Sequence, residues 1–238
     1  MGGNSYFQFK QFKIIQEKSA MKVGTDGVLL GAWVNLNNVT TVLDVGAGTG
    51  LISLMLAQRC NAKITGLEIE ENAAVEAEYN VRHSAWSNRI SIRNISFQEY
   101  SGTTTDTFDL VISNPPFFTD AVKSSDKSKS IARHNDQLPF YKLVQGAEKI
   151  LNPNGKLAVV LPFSEANEFI KTACYYHLHL WRIMEIIPLQ NREPNRALIE
   201  FGRSEVVPIK ENLLIRSGHG NDYSEEYKSL TRDFYLNF

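Results

Sequence analysis

The stretch VLDVGAGTGLISL, Val42 to Leu54, decides the fold. Val42, Leu43 and Val45 around Asp44 suit a strand covered on both faces, and glycines at alternate positions, Gly46, Gly48 and Gly50, then turn the chain into a helical run, Leu51 to Arg59. A glycine turn between strand and helix lets a ligand approach the backbone, while the amino end of the helix supplies N–H groups with no intrahelical partner. The spacing is GxGxG. A nicotinamide fingerprint wants Gly or Ala at position 51, where this chain has Leu51, and no GK[ST] ending follows to build a phosphate-cradling loop.

Outward from this turn, short β-branched or apolar runs alternate with helical patterns, the order of a sheet wrapped by helices. The strands read TVLDV, KITGLE, RISIRN, FDLVIS, GKLAVVLP, HLHLWRIMEII and RALIEFGR. Helices are expected over Leu51 to Arg59, Glu71 to Ser84, Tyr141 to Leu151 and Glu165 to Tyr175, with Asn152, Pro153, Asn154 and Gly155 stopping the third. Gly24-Thr25-Asp26-Gly27 reads as a loop before a short helix, Thr25 or Asp26 being its N-cap. At the other end, Tyr227, Leu230, Phe234 and Tyr235 recur at helical spacing and suggest a docking helix. The expected class is α/β, a seven-stranded, mostly parallel twisted sheet with helices on both faces.

With 238 residues the chain suits one domain, here read as a covering segment (1–40), a core (41–203) and a docking extension (204–238). No apolar run approaches the roughly 18 residues of a membrane span, so no membrane partner is expected. MGGNSYF lacks the pattern of a secretion signal, and Cys60 and Cys174 lack metal-ligand spacing; a reducing cytoplasm is the simplest compartment. A net charge of −1 argues against indiscriminate coating of nucleic acid but leaves room for local basic surface. Lys10, Lys13, Lys18 and Lys22 form one such group, and Lys123, Lys127, Lys129 and Arg133 another, within the polar, unpatterned stretch Lys123 to Gln137 that is expected to be mobile without substrate.

Glu68 ends the strand KITGLE, at the distance where ribose-binding carboxylates follow a glycine turn; taken alone it is equally a helix start. NPPFF, Asn114 to Phe118, follows FDLVIS. Neither proline offers an N–H to a sheet, so the chain must leave it there, on a rigid segment carrying one amide and two aromatic rings.

DVGAGTG and Glu68 resemble the class I S-adenosylmethionine-dependent methyltransferases, whose fold is Rossmann-like. The resemblance implies S-adenosyl-L-methionine as cofactor, held by Gly46, Gly48 and Gly50, by Asp44 at its methionine end and by Glu68 at its ribose. Ser96 and Phe97 fall where such enzymes meet adenine, although many relatives carry an acidic residue at the position of Ser96. Thr25 and Asp26 lie in a segment that related enzymes fold over the methionine end.

With such a turn, NPPF resembles the motif of amino-methyltransferases. The oxygens of Asn114 and of a proline carbonyl suit the two hydrogens of a planar NH₂ group, whose lone pair is otherwise delocalised. Pro115 and Pro116 hold them rigid, Phe117 stacks on the substrate ring and Phe118 lines the pocket. Nearly the whole chain is similar to the bacterial tRNA1(Val) adenine-N6-methyltransferases, through FKQFKIIQEKSAMKVGTDGVLLGAW, NPPFF, ARHND, LNPNGKLAVVLP, NREPNRALIEF and LTRDFYL. This implies methylation of adenine at position 37 of tRNA, flipped from the anticodon stem-loop, with Arg133 and His134 at the entrance and Lys10, Lys13, Arg192 and Arg196 on phosphates. Methylation of a ribosomal RNA base and non-catalytic RNA binding remain the alternatives. His83 and His219 have no companion ligands, so no metal is expected, nor any obligate protein partner.

Overall fold

A computed structural model describes residues 4–19, 22–115, 138–218 and 222–238. The chain opens with a hairpin, β1 (Tyr6–Gln8) and β2 (Lys13–Ile15), and a helix, α1 (Thr25–Trp33). Then come β3 (Thr41–Val45), α2 (Leu51–Arg59), β4 (Lys63–Glu68), α3 (Glu71–Arg82), β5 (Ile90–Asn94), α4 (Phe97–Thr103) and β6 (Phe108–Ser113). The second half holds α5 (Phe140–Ile150), β7 (Leu151–Pro162), α6 (Phe163–Tyr175), β8 (His179–Ile187), β9 (Arg196–Gly202), β10 (Ile209–Leu214) and α7 (Glu225–Thr231).

Alternate residues of the central strands feed opposite cores. Val42, Leu110, Ile112, Ala158, Val160 and Leu198 pack on one face with α1, α2 and the N-terminal hairpin. Leu43, Val45, Val111, Leu157, Val159 and Ile199 pack on the other with α4, α5 and α6. Side chains that alternate across a strand, all of them apolar, require both faces of the sheet to be covered.

The strand order is β10-β8-β9-β7-β6-β3-β4-β5. From β7 through β5 all neighbours are parallel, and β9 alone runs antiparallel, between β7 and β8. All seven expected strands are in this sheet, and β10, parallel to β8, adds an eighth at its edge. Only Leu213 of its IKENLL is buried, as suits an edge strand whose charges discourage further pairing. Two local expectations change. Residues 151–155 start β7 rather than a loop, Leu151 pairing with Phe108 before a register shift, and α1 is capped by Gly24, with no side-chain cap from Thr25 or Asp26. In the C-terminal segment Tyr227 and Phe234 are buried, but α7 is short, and Phe234 and Tyr235 follow it.

The chain reverses its order between β3 and β6, and the crevice at the carboxyl ends of such a strand pair is where open α/β sheets bind ligands. At the opposite end Asp109 ties β6 to its neighbours. Its Oδ2 accepts from Thr40 N and Oγ1, both at 2.8 Å, and from Thr41 N at 3.1 Å, while Oδ1 accepts from Asn152 at 2.6 Å. Partial burial opposes ionisation, but these donors together prevail and hold the carboxyl down at about 2, below its ordinary 3.8. A lowered folded-state pKa gives stability that is present above 3.8 and is lost as pH falls toward about 2. Acid titration of Asp109→Asn, followed by circular dichroism, should therefore show a shallower loss of stability across that window than the parent; parallel curves would remove this role.

Candidate active site

The last paired residues of β3 and β6 are Val45 and Ser113, and Ser113 Oγ donates to Val45 O at 2.8 Å. One residue further on stand Gly46 and Asn114. The amide of Asn114 and the glycine turn thus leave the sheet side by side and share the wall of one cavity of 430 Å³, large enough for a nucleoside-sized ligand.

Gly46 and Gly48 adopt φ of 74° and 55°, where an L side chain is strained, and a Cβ on either would meet no atom within 4 Å. The backbone conformation, rather than crowding, selects glycine at these two positions. Gly48 N donates to Glu68 Oε2 at 2.8 Å, and Glu70 N donates to Glu68 Oε1 at 2.9 Å. Glu68 is thereby fixed at the end of β4, on the cavity wall, with Leu67 and Ile69 as apolar neighbours.

Asp44 is fully buried. Its Oδ2 accepts from Ser53 Oγ at 2.7 Å and Ser53 N at 3.1 Å, which braces the glycine turn against α2. Its Oδ1 has no partner among the described residues. Burial pushes the carboxyl up to about 6, the Ser53 hydrogen bonds oppose this, and the charge of Glu68 adds to it. The same deficit recurs at Asn114, whose Oδ1 is buried and unpartnered among the described residues. Each such atom costs about 1–3 kcal/mol unless something donates to it. Asn114, on the cavity wall, thus offers an acceptor to a ligand that brings N–H groups, whereas Asp44 does not border the cavity.

Ser96 and Phe97 reach this cavity, but each also has a structural duty. Ser96 caps α4, its Oγ accepting from Glu99 N at 3.1 Å, and the buried Phe97 ring lies against Gly146 of α5. Pro115 lines the cavity, whereas Pro116, Phe117, Phe118, Arg133, His134 and the stretch Lys123 to Gln137 lie outside the described residues.

Thr25 and Asp26 do not reach the cavity at the glycine turn. They border a second one, and Asp26 Oδ2 accepts from Arg196 Nε at 2.8 Å. Among the basic residues expected on phosphates, Lys10 instead secures the C-terminus, its Nζ donating to Arg232 O at 2.5 Å and Phe238 O at 2.8 Å. Lys13 lies over the Tyr6 ring at 3.9 Å, Arg192 is exposed, and Arg196 is engaged with Asp26.

The sequence reading missed an acidic clamp on α3. The buried carboxylate of Glu76 accepts from three successive backbone amides, Glu17 N at 2.6 Å, Lys18 N at 2.8 Å and Ser19 N at 2.9 Å. Asn80, one turn on, donates to Ile15 O and Thr49 O, each at 2.9 Å, and accepts from Ile15 N. Together they strap the N-terminal segment to the back of the glycine turn and bring Ser19 to the cavity wall. A carboxylate and an amide on the same helical face as Ala73, Ala77 and Val81 were the available signal.

A glycine turn, a carboxylate at the end of the next strand and a cavity at the switch point, set in this mixed sheet, define a Rossmann-like methyltransferase. Residues 19–174 match the Methyltransferase small domain family. A predicted O-methyltransferase from Agrobacterium tumefaciens shares the fold with a TM-score of 0.71, at 19% identity over 88% of this chain and 96% of that one. The tRNA1(Val) (adenine(37)-N6)-methyltransferase of Bacteroides thetaiotaomicron is 44% identical over 98% of both chains. Its counterpart in Trichodesmium erythraeum is 42% identical over the full length of both. The chain belongs to the tRNA1(Val) (adenine(37)-N6)-methyltransferase family. Among the described residues no helix is long and apolar enough to cross a membrane, and no group of three or more His, Cys, Asp or Glu could hold a metal ion.

Asp44 yields a stability test. Its raised carboxyl contributes stability that is fully present below 3.8 and is lost as pH rises through about 6, because the folded state then buries a charge. Asp44→Asn in ligand-free protein should narrow the fall in unfolding free energy between about pH 4 and pH 7 by on the order of 3 kcal/mol. Urea midpoints that change with pH as in the parent would contradict this.

Proposed function

We propose that the protein methylates the N6 amino group of an adenine in tRNA, adenine 37 of tRNA1(Val), with S-adenosylmethionine as donor. The observation that carries the reading is the buried, unpartnered Oδ1 of Asn114 beside the glycine-turn cavity. The donor supplies an electrophilic methyl on a sulfonium. Gly46 and Gly48 leave open space for it along the backbone, Glu68 offers acceptor oxygens for ribose hydroxyls, and Asp44, buried behind the glycine turn, adds negative charge there without bordering the cavity.

The exocyclic nitrogen of adenine is a poor nucleophile because its lone pair is delocalised into the ring. Asn114 Oδ1 and the Pro115 carbonyl accept its two hydrogens, which draws that pair out of the ring plane. As the nitrogen becomes positive its N–H groups become stronger donors, so both contacts tighten in the transition state. Neither group has to remove a proton beforehand; once the methyl has passed from sulfur to nitrogen, leaving a neutral thioether, the cationic nitrogen releases one proton to solvent. The rigid Pro115 ring keeps the acceptors in register, and alignment of this kind is where the rate gain arises.

Two observations favour a base presented from RNA. The chain is similar over its full length to enzymes named for a tRNA adenine, and Asn114 sits at the rim of the sheet, where a base turned out of its stem can enter. Asn114→Ala should lower kcat on total tRNA by at least about 100-fold, the usual cost of one preorganised transition-state hydrogen bond, with donor affinity close to the parent's. Labelled donor followed by nuclease mapping checks both rate and position. Label appearing only in deproteinised ribosomal RNA, or full activity in Asn114→Ala, would overturn the proposal.

A further inference from the structure

The second cavity, of 480 Å³, lies on the other side of α1 from Asn114. Its walls include Asp26 from the first turn of α1, Arg196 from the start of β9, and Arg216 and Tyr223 from the segment after β10. The next residue of α1 is Gly27, where a Cβ would stand 3.8 Å from Asn114 Nδ2. The width of one helix, about 10 Å, therefore separates this cavity from the amide of Asn114.

Its charge does not balance. Arg196 is paired with Asp26 at 2.8 Å, whereas Arg216 has no carboxylate partner among the described residues. The Arg216 guanidinium carbon lies 5.2 Å from the centre of the Tyr223 ring, and Arg216 Nη2 reaches Tyr223 Oη only at 3.5 Å. Asp222, close in sequence, accepts from Ser217 Oγ at 3.2 Å. Among the described residues lining the cavity, two guanidiniums stand against one carboxylate, a surplus of one positive charge. The Tyr223 ring beneath Arg216 is held in turn by Tyr227, at 5.1 Å and 17°, so the guanidinium is presented from a firm base.

We propose that this cavity is a subsite for one phosphodiester of the substrate RNA, that of a nucleotide flanking the methylated adenine, with Arg216 as the principal contact and Arg196 as its neighbour. The proposal rests on the tRNA reading given above. A phosphodiester carries a single negative charge, which matches the surplus, and its oxygens suit the forked donors of a guanidinium. A helix is about 10 Å across, a span that a flipped base and the phosphate of a flanking nucleotide can bridge. With a neighbouring phosphate seated here, the flipped base can be held by Asn114 while its backbone is anchored on the far side of α1. Asp26 keeps Arg196 oriented when RNA is absent and limits the cavity to one anion.

The test is binding of a fluorescein-labelled anticodon stem-loop, by anisotropy over a series of salt concentrations, to the full chain and to Arg216→Gln. The expected result is roughly tenfold weaker binding and a slope of log K against log salt reduced by about 0.7 to 1, as for loss of one phosphate contact. Affinity for S-adenosylhomocysteine should not change, which reports that the variant is folded. In the unsubstituted protein, a single methylphosphonate beside the target adenine should reproduce the loss and add nothing further in Arg216→Gln. An unaltered slope and affinity in a variant that still binds S-adenosylhomocysteine, or the absence of any methylphosphonate effect, would overturn the subsite while methylation by the parent protein leaves the tRNA reading standing. If the parent protein neither binds nor methylates the stem-loop, both readings fall together.

Discussion

The pairing of Val45 with Ser113, reinforced by the hydroxyl of Ser113 on the carbonyl of Val45, is the constraint from which the rest of the site follows. Parallel strands in register end at the same height, so whatever follows β3 and whatever follows β6 must emerge as neighbours. The chain places a glycine turn after one and an asparagine with a proline after the other. Neither segment is a site alone. A turn without a directed acceptor would bind a ligand and leave it unreacted, and an asparagine away from the turn would be a surface amide.

Around that junction the protein accepts local cost. Asp44 is buried with one oxygen unpartnered and its carboxyl raised to about 6, and Asn114 holds a second unpartnered oxygen. Such groups persist in a folded chain when the ligand satisfies them, and their destabilisation is then part of binding. The surrounding bracing is correspondingly strong. Glu76 takes three consecutive amides of the N-terminal segment, Asn80 joins that segment to the glycine turn, and Lys10 fastens the C-terminus to the hairpin. The N-terminal hairpin and the C-terminal segment thus pack on the face that carries α1 and α2.

Much of this was legible in the sequence because it depends on local chemistry. The strand, glycine turn and helix of residues 42–59, Glu68 at the end of β4, and the exit of the chain at Asn114 each follow from residue type and spacing. Other features depend on what lies nearby in space. Asp26 looked like a cap or a cofactor contact, yet Arg196, 170 residues away, claims its carboxylate. Lys10 looked free for phosphate until the C-terminal carbonyls came within reach of it. β10 escaped notice because an edge strand with Lys210, Glu211 and Asn212 shows little apolar alternation. By contrast α4 carries its own signal, Ser96 with Glu99 three residues on, a helix-start pattern at a position that the family resemblance assigns to adenine.

The central claim is that the side-chain oxygen of Asn114 accepts a hydrogen from the reacting amine. Crystallography of the protein with S-adenosylhomocysteine and an unmethylated anticodon stem-loop tests this most directly. The account predicts Asn114 Oδ1 within about 3.2 Å of adenine N6, with the base edge facing the glycine turn. An N6 amine bound elsewhere, with Asn114 still turned toward Gly27 and its oxygen unpartnered, would contradict it.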